Sequence, residues 1–153
     1  MSTIFELIDT DDTAGVRSLL AAHPEAAAER DEQGLSAVMR AAYRRSDVLE
    51  AVRAANPPLG PFDRIVVGES DGLPTPDAWT PDGFTPLHIA AFARNTEAAR
   101  KLLEAGADPN AFATASFARV TPLGTCAFAG ADEVAKLLLE YGADPTLKEE
   151  PAR

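Results

Sequence analysis

Two histidines, one cysteine and a spread of carboxylates are the side chains of this 153-residue sequence that could do chemistry. His88 sits in TPLHIAAF (85–92) and Cys126 in TPLGTCAF (121–128). A Cys–His couple would make a thiolate nucleophile only if the two met and a third group oriented the imidazole. A single cysteine can form neither an internal disulfide nor a thiolate metal site. His23 precedes Pro24, where it is expected to end a helix. No spaced pair of carboxylates and no glycine-rich phosphate loop is evident. Catalytic, cofactor-binding and metal residues are therefore all expected to be none, and the protein is not expected to be an enzyme. The rival reading needs a polar pocket near residues 61–81, lined by Asp63, Arg64 and Glu69.

The elements that position these residues come in copies. The TPL triplets at 85 and 121 lie 36 residues apart, and so do the GADP tetrads beginning at Gly106 and Gly142. Two landmarks sharing one period mark an internal repeat. Thr85 and Thr121 are placed to N-cap helices, with Pro86 and Pro122 at the first helical position, where a missing N–H costs nothing. Leu87, Ala90 and Ala91 give a small-residue apolar face that lets a second helix approach closely. A break at 93–96 leads to a second helix with Leu102 and Leu103 facing inward. Gly106 stops it, and Asp108-Pro109-Asn110 makes a turn. GLSAVMRAAYRRSDVLEAV (34–52) is a weaker copy, and IFELIDTDDTAGVRSLLAAHP (4–24) fits the helical part alone.

DGFTPLHIAAF…LLEAGADPN (82–110) and TPLGTCAFAG…LLLEYGADP (121–145) resemble the ankyrin repeat family. Together with the degenerate match over 34–52 and the cap-like match over 4–24, the resemblance covers about two thirds of the chain. It implies an all-α solenoid of stacked helix-turn-helix units, with a concave face that binds other proteins. It also implies that His88 hydrogen-bonds the threonine hydroxyl and the neighbouring turn, a structural role absent from the last repeat, where Gly124 takes its place. The expected organisation is a single ankyrin-repeat domain, 1–153. An N-terminal capping repeat (1–31) precedes a degenerate repeat (32–56), a remnant with a long loop (57–81), a full repeat (82–111) and a terminal repeat (117–147).

The remnant is where the pattern breaks. PFDRIVVGESDGL (61–73) aligns without gaps to IFELIDTDDTAGV (4–16), but the residues that would carry a second helix are missing before Gly83. The alignment predicts one helix followed by extended chain, with Leu73 and Trp79 buried across the vacated groove. The alternative is a finger loop built on the β-branched Ile65-Val66-Val67. The terminal helix carries Leu137, Leu138 and Leu139. A monomer is expected, with an end-to-end dimer through that helix as the alternative.

Superposing the copies aligns Tyr43, Phe92 and Phe128 directly after a pair of small residues, with Val66 and Asp9 at the equivalent places. The resemblance places this position at the concave edge, so Tyr43, Arg44, Phe84, Phe92, Phe112 and Phe128 are the expected partner-binding residues. Phe117, in the longer link 112–120, belongs with them. The net charge of −10 argues against nucleic acid and anionic membrane surfaces. Residues 1–31 hold seven acids and two arginines. A second expectation is thus an immunity-type inhibitor that blocks a basic partner through Asp9, Asp11 and Asp12. The chain shows no signal peptide and reads as cytoplasmic. Its many alanines, and eleven arginines against three lysines, point to a GC-rich bacterial source.

Overall fold

Short helices joined by glycine-containing turns follow from the alternation of N-cap residues, small apolar runs and left-handed stops. The computed structural model describes residues 3–115 and 119–147. Phe117 therefore lies outside the described residues, as does the end of the chain from residue 148. Among the described residues there are nine α-helices, one 3-10 turn (Pro24–Ala28) and no strand. The helices are α1 Ile4–Asp9, α2 Thr13–Ala22, α3 Ala37–Arg44, α4 Val48–Arg53, α5 Pro61–Val66, α6 Pro86–Phe92, α7 Thr96–Glu104, α8 Pro122–Ala129 and α9 Asp132–Glu140. The chain divides into two compact units, Met1–Asp63 and Arg64–Arg153.

In the first unit α1 packs on α2 and α3, and α4 on α2 and α3. Ile4, Ile8, Val16, Val38, Val48 and Val52 are its largest fully buried side chains. Arg40 ties three elements together. Its guanidinium bonds Asp9 and, at 2.7 Å, Asp31 Oδ2, and lies 5.4 Å over the Phe5 ring. Burial opposes ionisation of Asp31, but the Arg40 bond and the backbone N–H groups of Leu35 and Gln33 hold its pKa below the ordinary value.

In the second unit α6 packs on α7 and α8, and α9 on α7 and α8. Ala90, Ala91, Ala98 and Ala99 are completely buried at these contacts. Their lack of side-chain bulk lets the helices close on one another. Gly83 is required by shape as well as by its φ of 98°. A methyl group there would lie 2.6 Å from the backbone nitrogen of Ala115.

The first helices end alike. Asp11, Arg45, Gly68, Arg94 and Gly130 all have positive φ, each two residues after the aligned position of Asp9, Tyr43, Val66, Phe92 and Phe128. In four of the five the next N–H returns to the carbonyl five residues back: Asp12 to Leu7, Glu69 to Arg64, Asn95 to Ala90 and Ala131 to Cys126. This is the Schellman closure of a helix C-terminus. α5 keeps it through Gly68.

No second helix follows α5. Residues 67–80 are turns and extended chain until the Thr80–Phe84 turn that leads into α6. Trp79 does not fill a groove as expected: it is 48 % exposed, and no residue from 66 to 79 is buried. Hydrogen bonds hold the segment instead. Asn95 N-caps α7 by accepting from Ala98 N at 3.1 Å, while its amide donates to Ile65 O at 3.1 Å and Glu69 O at 2.8 Å. Lys101 Nζ reaches Ser70 O at 3.1 Å. These bonds fix the chain as far as Ser70, and Trp79, nine residues further on, is left at the surface.

Asn95→Ala leaves one buried N–H and two carbonyls without this partner, and is expected to destabilise by about 2–3 kcal/mol. Urea unfolding of the two proteins checks this. A loss below about 0.5 kcal/mol would show that the amide does not anchor the segment.

Candidate functional site

Four of the five first helices begin at a hydroxyl cap: Thr3, Ser36, Thr85 and Thr121. In α6 the Thr85 hydroxyl accepts from His88 N at 3.3 Å, and Nδ1 of His88 lies 2.7 Å from the same oxygen. The other ring nitrogen is 2.8 Å from Val120 O. A carbonyl can only accept, so Nε2 carries the proton and Nδ1 the lone pair. Nδ1 then accepts from the Thr85 hydroxyl and from Thr85 N at 3.3 Å, closing a capping box. Val120 immediately precedes the next cap, so the imidazole transmits one repeat's cap to the start of the next.

His88 is 1 % exposed, and burial pushes its pKa down to about 4 against the pull of the Val120 carbonyl. It is a neutral structural ring, with Phe84 tilted over it at 5.9 Å. In the last repeat Thr121 accepts from Gly124 N at 3.1 Å and donates directly to Leu147 O at 2.6 Å. In α3 the cap is Ser36, and Met39 stands where His88 does. Ser36 Oγ donates to Asp63 Oδ1 at 2.5 Å, and Asp63 Oδ2 accepts from Gly60 N at 2.8 Å. The sequence reading placed Asp63 in a candidate enzymatic pocket and missed this role. The available signals were a serine cap without its histidine, and an acid three residues after Gly60.

The candidate chemistry does not assemble. Cys126 is buried, and burial together with the Asp132 charge pushes its thiol up to about 12, far from a reactive thiolate. His23 caps the end of α2 at the surface, 3.3 Å from Glu25. Arg64 pairs with Glu69 at 3.5 Å, both half-buried. Among the described residues no group of three metal-ligating side chains occurs, and no helix is long and apolar enough to cross a membrane.

The aromatic positions behave differently from one another. Phe92 and Phe128 stack, with centroids 6.4 Å apart and planes inclined by 15°. Phe92 is half-buried, whereas Phe128 is 74 % exposed. Phe84 and Phe112 are half-buried, and Arg44 is exposed. Tyr43 is half-buried with its phenol oxygen inside, so its polar tip does not face outward. Leu139 and Tyr141, at the end of α9, are also exposed, while Leu137 and Leu138 are buried. The acids of the N-terminal repeat have internal duties: Asp9 bonds Arg40, Asp11 accepts from Ser46, and Asp12 caps α2 at Gly15 N.

Protonating His88 would break the Nδ1 bonds, so its contribution to stability is present above the unfolded pKa near 6.5 and lost as pH falls towards 4. The unfolded chain binds the extra proton in that window. Unfolding free energy is thus expected to drop by up to about 3 kcal/mol between pH 7 and pH 4 through this group alone. Urea midpoints for wild type and His88→Asn across that range isolate it. Parallel curves would mean that His88 does not titrate between the two states.

A family model described as ankyrin repeats in three copies matches residues 73–149, just over half of the chain. No curated protein matches it. The repeated caps, the paired helices and this match agree: the chain belongs to the ankyrin repeat family, whose repeats serve as protein–protein interaction modules and are typically non-catalytic.

Proposed function

We propose that the protein is a non-catalytic binding module that docks a protein partner through the ends of its first helices, with the Phe92–Phe128 stack as the anchor. The observation that carries this reading is Phe128, a large ring left 74 % exposed on a half-buried partner ring. Aromatic anchors dominate interface energies, and a ring already stacked loses little rotamer freedom on binding. Phe84 and Phe112, in the turns before α6 and after α7, are further candidate contacts of the second unit, and Arg44, beside Tyr43, is the candidate polar contact of the first unit.

The alternative, inhibition of a basic partner through Asp9, Asp11 and Asp12, is less favoured. A partner would have to compete with Arg40, Ser46 and the α2 cap for those carboxylates. A monomeric, cytoplasmic protein is the setting that this reading assumes.

The test is affinity capture from host lysate, followed by titration of the identified partner with wild type and Phe92→Ala/Phe128→Ala. Removing a hot spot of about 2 kcal/mol weakens binding roughly 30-fold. Phe128→Ala alone should keep its melting temperature, because the ring is outside the core. Unchanged affinity in the folded double variant would move the docking site elsewhere.

A further inference from the structure

Asp63 is 4 % exposed, yet its two oxygens accept only from neutral donors, Ser36 Oγ and Gly60 N. Among the described residues it forms no ion pair. A buried carboxylate is ordinarily matched by a cation. This one forms the floor of an open groove of about 340 Å³ in the first unit, with Arg30 on the rim and Val38, Pro58 and Leu59 among its walls. Arg30 spends Nη1 on Gly34 O at 2.9 Å, and Nη2 turns towards Gly60. A methyl group built on Gly60 would sit 3.5 Å from Asp63 Oδ2 and 3.7 Å from Arg30 Nη2, meeting no other group within 4 Å beyond its chain neighbours. Carboxylate and guanidinium thus flank one small space without closing on each other.

We propose that this groove binds the zwitterionic head of a small apolar α-amino acid. The ammonium group lies on Asp63 and the carboxylate on Arg30, with the side chain against Pro58 and Leu59. Each Asp63 oxygen keeps a second lone pair for the ammonium. The ligand neutralises both charges at once, which a lone cation or anion cannot do, because each would meet the like charge opposite. The volume falls at the lower end of small-molecule sites and suits a single residue. The proposal is independent of the docking surface on the second unit.

The full-length protein is titrated with L-leucine, and the backbone amide shifts of Ser36 and Gly60 are followed by NMR. The expected result is saturable binding, with isoamylamine, 4-methylpentanoic acid and leucinamide each weaker by tenfold or more, since every one lacks a charge that the site pairs. Gly60→Ala fills the space without touching backbone beyond its neighbours. It should keep the wild-type melting temperature and lose leucine binding by at least tenfold. Arg30→Gln, at an exposed position, should weaken leucine but not isoamylamine. The proposal is overturned by equal binding of the single-charge analogues, by leucine binding undiminished in folded Gly60→Ala, or by no saturable shift with leucine, valine or alanine.

Discussion

A first helix of six to eight residues cannot hold its own N-terminus, and the rest of this structure depends on how that end is tied down. The cap hydroxyl satisfies one N–H of its own helix and then has a proton of its own to give. Thr85 gives it to an imidazole, which passes a bond on to Val120; Ser36 gives it to Asp63; Thr121 gives it straight to Leu147. The three routes differ chemically but do one job, which is to fix the start of the next turn relative to the helix before it. Helix pairs that bury little on their own are held in register by these bonds together with the packing of their alanine faces.

This explains which features could be read from the amino-acid order. The threonine–proline–leucine–histidine run holds the Thr85 half of the His88 bonding within three residues, and the resemblance to the ankyrin repeat implied the other half, the bond to the neighbouring turn 32 positions on. The tie through Asp63 spans 27 positions and uses an acid with no signature of its own. Without a histidine at Met39, the carboxylate looked available for catalysis. The helix at Pro61–Val66 was legible through its alignment to the first repeat. The fate of Trp79 was not, because a segment rich in proline and glycine has no period and hence no face.

The aromatic register shows the same limit. Tyr43, Phe92 and Phe128 stand at one position of the repeat, and their helices run into the same left-handed turn. Their exposure nevertheless runs from a buried phenol oxygen to a ring with about three quarters of its surface in water. Repeat position sets where a side chain leaves the backbone. What covers it depends on neighbours that do not repeat.

The stretch after α5 has a further consequence. Residues 66–79 bury no side chain completely, so releasing them from Asn95 and Lys101 uncovers only half-buried groups, Val67 and Leu73 among them. Such an opening depends on urea less steeply than global unfolding does, while α6 and α7, packed through their alanines, open only with large exposure. Amide exchange would therefore separate two populations of protons, and a protease would find its first cut where a helix has been replaced by a handful of hydrogen bonds.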